Sequence, residues 1–183
     1  MKLIRKGYFS VDDTAVFYLT QAGHREIAVD HAIQLVRYDA SEATLHKTED
    51  AVMADLLDPA TEWVIEALLQ GAWIREYHEW ETATKNYFEH QHRLNGLPQV
   101  DWKAKITGTT GGASHVDRVR DQLAQFGATI QTDALDIIDA QRRQINISKH
   151  EGEYFVTEHE YRALVCSIKV FWDDLASKEQ FTV

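Results

Sequence analysis

Cysteine occurs once, as Cys166, and proline twice, as Pro59 and Pro98. A single thiol excludes an intrachain disulfide framework and any Cys-based zinc or iron–sulfur centre, and a reducing, cytoplasmic setting is the expectation. So few prolines leave long stretches that nothing interrupts as helix. No run approaches the roughly 18 uninterrupted apolar residues of a membrane span. Met1–Gly7 is charged without the apolar segment of a secretory leader behind it. Neither secretion nor a membrane partner is expected. Positive charge is short as well: 19 Lys+Arg stand against 29 Asp+Glu, a net charge of −10. A broadly basic surface is excluded, so any pull on a polyanion has to come from a local group of cations.

What the chain does have is apolar bulk. Hydrophobic residues make up 44% of it, with five Trp, seven Tyr and seven Phe. That is the composition of a folded globular protein with a sizeable core, most simply one domain. Alternating apolar and polar residues never persist long enough to suggest a sheet of several strands, so the fold class is all-α. Ser10 with Asp13 three residues later marks a helix start, although Val16–Leu19 also suits a short strand. Ile27, Ala28, His31, Ala32 and Leu35 form an apolar stripe on a helix from His24 to Tyr38. Asp58 as N-cap and Pro59 as first helical residue open a long helix running to about Leu94, where Asn95-Gly96-Leu97-Pro98 ends it. Gln99–Ser114, with Gly108, Gly111 and Gly112, reads as a connector. Three further helices are expected: Ser114–Phe126, Thr129 or Thr132 to Lys149, and Thr157–Ala176, the last opened by a capping box. The expected organisation is an N-terminal helical extension over residues 1–58 and a helical bundle over 59–183.

The residues suited to chemistry lie near the end of the segment from Thr129 or Thr132 to Lys149. Arg143 and His150 are seven residues apart, which on a helix leaves them within roughly 20° of each other. Asn146 lies close to the same face. A cation, an amide and an imidazole projecting together suit metal-free phosphodiester cleavage: the imidazole moves a proton to or from a ribose hydroxyl, and the guanidinium stabilises charge developing on the phosphate. Against this stands a plainer reading, in which Arg and His simply favour the negative end of a helix dipole. On the long helix Glu81 and Lys85 are spaced for an ion pair. Glu81 shares a face with Ile74, Tyr77 and Phe88, so it is expected to be partly buried and to take a cation, for which Arg143 is a candidate.

Other chemistries find less in the chain. Nine histidines are present, but neither a His-Glu-x-x-His nor paired Glu-x-x-His segments occur, and no metal or other cofactor is expected. His78, His90 and His92 read as exposed helix residues. Gly108–Gly112 lacks the Gly-Lys-Ser/Thr of a phosphate loop. Cys166 reads as a buried packing thiol. Trp73, Trp80 and Tyr87 are most simply core residues, although their sevenfold spacing also suits a seam between subunits.

From Leu69 to Ala176 the sequence resembles the HEPN domains, helical proteins of toxin–antitoxin, abortive-infection and other defence systems. The resemblance rests on Arg143-Gln144 followed after six residues by His150, on Glu81-Thr82-Ala83-Thr84-Lys85 in the preceding long helix, and on the amphipathic last helix ending Phe171-Trp172-Asp173-Asp174-Leu175. Gln144 stands where the family usually has asparagine, and Asn146 follows two residues later. The resemblance implies an antiparallel four-helix bundle, a homodimer and cytoplasmic endoribonuclease activity by attack of the 2′-hydroxyl. It makes His150 the general acid/base and Arg143 the phosphate stabiliser, with Asn146 positioning the substrate. Glu81, Lys85 and Gln144 are the supporting residues, and Arg142 and Lys149 contact the RNA. An antitoxin or other defence protein is the implied partner. The alternatives are a non-catalytic nucleotide- or RNA-binding or dimeric assembly module of the same fold, and a ligand-binding helical regulator.

Overall fold

Two very long apolar-rich segments meet three shorter, more clearly amphipathic ones, and all five are helical. In the computed structural model they are α1 (Val11–His46), α2 (Ala51–Leu94), α3 (His115–Gln125), α4 (Thr132–Glu151) and α5 (Glu158–Lys178). The structure describes residues 2–5, 11–46, 51–103, 113–130, 132–151 and 154–181; for 4, 5, 11–20, 22, 39, 42–46, 51–59, 132, 150, 151, 180 and 181 it describes the backbone alone. The protein is all-α apart from two two-residue strands, β1 (Ile4–Arg5) and β2 (Gln180–Phe181), which pair in parallel and bring the two ends of the described chain together. No helix of the described residues is long and apolar enough to cross a membrane.

The helix ends follow local chemistry. Ser114 caps α3 by accepting from the Asp117 N–H, while the Asp117 carboxylate accepts from the Ser114 N–H. Thr157 and Glu160 do the same at the start of α5. Each box satisfies amides that a helix start otherwise leaves without partners. At the other end of α2, Gly96 takes φ +64°, the Gly96 N–H donates to the Arg93 carbonyl and the Leu97 N–H to that of His92. Gly127, at φ +63°, closes α3 through the same pair of bonds. A left-handed residue is needed there, and glycine adopts it without a Cβ clash.

Helix starts and faces differ from the sequence expectation in three places. α1 is continuous from Val11, so Val16–Leu19 is helical and the break before His24 is absent. α2 begins at Ala51 rather than Asp58, its backbone running through Pro59; the strong helix formers Ala51, Met53, Ala54, Leu56 and Leu57 extend it upstream. The expected inward stripe of α1 faces outward. Ile27, Ala28, His31 and Leu35 are exposed, while Ile33 is buried and Val29 and Val36 pack on the core. α1 carries two apolar stripes, and tertiary packing takes the more β-branched one. The connector's residues 104–112 lie outside the described residues.

The core is aromatic. Trp73, Trp80, Phe88, Phe171 and Trp172 are fully buried. Trp80 meets Phe171 edge to face with ring centroids 5.5 Å apart. Trp73, Trp80 and Tyr87 therefore belong to the interior of one chain, not to a seam between subunits. Cys166, expected inside, is exposed, since α5 buries Leu164 and Ile168 on the opposite side of that turn. His92 is also not an exposed helix residue. It is buried between the Pro98 carbonyl, 2.7 Å away, and the Gln122 amide oxygen, also 2.7 Å away.

Candidate functional site

α4 turns a buried hydrophobic row, Ala134, Ile138 and Ile145, towards the core and leaves Arg143 and Asn146 exposed. Between these faces lies Asp139, a buried carboxylate. Its Oδ2 accepts from Arg143 Nη2 at 2.6 Å and its Oδ1 from Arg142 Nε at 2.9 Å. The spacings are i+4 and i+3, so one helix turn supplies both cations. The outcome is asymmetric: the Arg142 side chain is 21% exposed and the Arg143 side chain 69%. Arg143 thus offers most of its guanidinium to solvent while one edge is held by a fixed anion, the arrangement that orients a guanidinium for an incoming anion.

Glu81 and Lys85 are paired as the spacing predicts, Nζ to Oε1 at 3.1 Å. The expected partnership of Glu81 with Arg143 does not form. Arg143 is taken by Asp139, while Glu81 gathers His78, Nδ1 to Oε2 at 3.4 Å, and His115, Nδ1 to Oε1 at 3.8 Å. Burial pushes the Glu81 carboxyl up, but the Lys85 hydrogen bond, reinforced by His115 and His78, outweighs it and holds the group below its ordinary value. His115 opens α3 and is buried between the rings of Trp80 and Trp102. Burial lowers its pKa to about 4 despite the neighbouring Glu81, so the ring is neutral at pH 7. Thr84 Oγ1 donates to the carbonyls of Trp80 and Glu81, and the His115 Nε2 lies 2.7 Å from that same oxygen. With the single hydroxyl hydrogen already used, Nε2–H must be the donor to Thr84.

The two groups meet around α2. Tyr77 is buried between them: burial, then the Glu81 carboxylate, push its hydroxyl pKa far above the usual value, with Arg142 opposing and Asp139 adding. Lys149 of α4 reaches the Glu81 group, its Nζ lying 2.5 Å from His78 Nε2. Gln144 is half-buried on α4. His150 is the penultimate residue of α4, and its side chain lies outside the described residues. Sequence reasoning missed Asp139, His115 and the pairing of His78. The first was legible as an i+3/i+4 partner of the two arginines, whereas His115 reaches Glu81 only through the tertiary fold. Among the described residues no three His, Cys, Asp or Glu side chains are arranged to hold a metal ion. An open cleft of about 470 Å³ beside Leu3, Phe126 and Lys178 shares no residue with this cluster.

No family model matches the chain, and no curated protein or solved structure matches it either.

Proposed function

We propose that the chain is a cytoplasmic, metal-independent endoribonuclease of the HEPN type, serving a toxin–antitoxin or phage-defence system. The observation that carries this reading is the Asp139 carboxylate holding Arg142 and Arg143 side by side, with Arg143 open to solvent. A −10 chain that keeps an oriented guanidinium on its surface, next to Asn146 and a turn or two from Lys149, has a local anchor for a phosphate despite its overall charge. Arg143 stabilises charge on the phosphate, Asn146 positions it, Arg142 and Lys149 contact the backbone, and His150 moves the proton. Glu81, Lys85 and Gln144 support these residues. The 2′-oxygen attacks the adjacent phosphorus, the bond to the 5′-oxygen breaks, and the products are a 2′,3′-cyclic phosphate and a 5′-hydroxyl.

The test is incubation of purified protein with single-stranded RNA in EDTA, with an all-2′-deoxy oligonucleotide of the same sequence as control. Cleavage of the RNA alone, ending in cyclic phosphate and abolished in Arg143→Ala and His150→Ala, supports the assignment. An uncleaved RNA, or equal cleavage by the variants, removes it.

A second reading has its own observation. Ile137 and Ile147, exposed at 40% and 39%, lie on α4 to either side of Arg143. They suit an assembly module in which two copies pair through α4, with a cognate defence protein as a further partner. Light scattering at micromolar concentration decides this: a mass near the 21.0 kDa of one chain excludes the paired form, and twice that mass, lost on Ile147→Glu, supports it.

A further inference from the structure

We propose that His78 is a second catalytic imidazole of this site, acting as the general base towards the ribose 2′-hydroxyl; the proposal rests on the endoribonuclease reading above. Two contacts define the ring, and a third holds its carboxylate partner. Nε2 lies 2.5 Å from Lys149 Nζ, Nδ1 lies 3.4 Å from Glu81 Oε2, and the other Glu81 oxygen is held by Lys85 at 3.1 Å.

The proton positions follow from what these groups are able to do. An ammonium donates and never accepts, so Nε2 presents a bare lone pair to Lys149. The ring hydrogen is then on Nδ1, directed at Glu81. A carboxylate behind one nitrogen fixes the tautomer and turns the other nitrogen outward, and it stabilises the imidazolium once a proton is taken up. The 3.4 Å separation is long for a full hydrogen bond, and such catalytic contacts tighten when substrate binds. His78 is half-exposed, at 50% of its side chain, so a substrate reaches it. Tyr77 supports the ring from the side, with centroids 5.7 Å apart.

Lys149 links this dyad to phosphate. While no anion is bound, its ammonium occupies the Nε2 lone pair. A phosphodiester draws the ammonium to its non-bridging oxygens and leaves Nε2 open to the neighbouring 2′-hydroxyl. Nε2 then takes the hydroxyl proton as the 2′-oxygen bonds to phosphorus. The bond from phosphorus to the 5′-oxygen breaks, and that oxygen leaves with a proton from His150 in the role assigned above. The two rings have exchanged protonation states and recover through water. Attack and departure thus each have their own imidazole.

The experiment compares wild type, His78→Gln, His78→Ala and Glu81→Gln on single-stranded RNA in EDTA, with affinity for the all-2′-deoxy oligonucleotide measured in parallel and circular dichroism melts confirming the fold. His78→Gln is expected to lower kcat on the order of 10²–10⁴-fold, to leave KM and oligonucleotide affinity unchanged, and to remove the acidic limb of the pH–rate profile. Added imidazole restores turnover to His78→Ala, which a purely structural residue does not permit. Glu81→Gln, a positioning change, lowers kcat by a smaller factor at constant KM. An active wild type with His78→Gln within about threefold of it and the limb retained overturns the role of His78 and leaves the nuclease reading standing. Loss that appears in KM or oligonucleotide affinity, or that imidazole does not restore, also overturns it. An inactive wild type overturns both.

Discussion

Arg25 and Glu76 tie α1 to α2 through two parallel hydrogen bonds, Nε to Oε1 at 2.5 Å and Nη2 to Oε2 at 3.1 Å. The Glu76 side chain is 1% exposed and that of Arg25 18%. Removing the cation takes a bidentate counter-charge from a buried carboxylate, so Arg25→Leu is expected to cost about 3–5 kcal/mol in urea unfolding. Replacing both partners by leucine removes the buried charge as well, and the double variant should recover most of that loss. A double variant as unstable as Arg25→Leu would show that α1 is held chiefly by other contacts.

Asp139 gives a prediction in which stability and activity separate. Arg142 is largely enclosed and Arg143 largely solvated, though both bond one carboxylate. Arg142→Ala should therefore cost about 1–3 kcal/mol of unfolding free energy, and Arg143→Ala about 0–1 kcal/mol. On the proposed endoribonuclease reading the order should reverse in RNA cleavage, where Arg143→Ala loses the group assigned to the phosphate. Asp139→Asn keeps the shape but not the charge, leaves Arg143 loosely placed, and is expected to lower kcat by about 10²-fold. Chemical denaturation and single-turnover cleavage on the three variants check this, and an identical order in both assays contradicts it.

How much of this was legible in the sequence depended on how local the cause is. The caps at Ser114 and Thr157 and the stop at Gly96 depend on residues within a turn, and all three are where the pattern puts them. The same holds for the Glu81–Lys85 pair. The outward stripe Ile27–Leu35 was misread because α1 has apolar residues on both faces, and only its neighbours determine which face is covered. The β1–β2 pairing joins Ile4 to Gln180, a contact no local pattern announces. His115 illustrates the same limit within the candidate site. Its neighbours Thr84, Trp102 and Glu81 come from other parts of the chain, and its burial follows from where α3 begins.

Two buried tryptophans of equal exposure differ in one hydrogen bond. Trp73 Nε1 donates to Gln141 Oε1 at 2.8 Å, whereas Trp80 Nε1 has no hydrogen-bond partner among the described residues. Both Trp→Phe changes remove similar volume. Trp73→Phe additionally leaves the Gln141 amide without its donor, so it should be the more destabilising by about 1 kcal/mol. Thermal melts of the two variants side by side test the difference, and Trp80→Phe being the worse of the two would refute it.

His115 makes stability depend on pH in a definite window. Its folded-state pKa is lowered by burial from 6.5 to about 4, so the unfolded chain binds a proton more readily than the native one. The preference for the native state is complete above the unfolded value and is lost progressively as pH falls from 6.5 towards 4, where protonating the buried ring becomes possible. The full effect amounts to about 3 kcal/mol. Glu81, with its pKa held down by Lys85, adds a loss in the same direction at more acidic pH, as its stabilising charge is removed. His115→Gln keeps a donor for Thr84 without a group that titrates in this range. Its unfolding free energy should therefore fall less than that of wild type between pH 7 and pH 4. Parallel urea titrations across that range measure the difference directly, and equal slopes for the two proteins would show that other groups control acid unfolding.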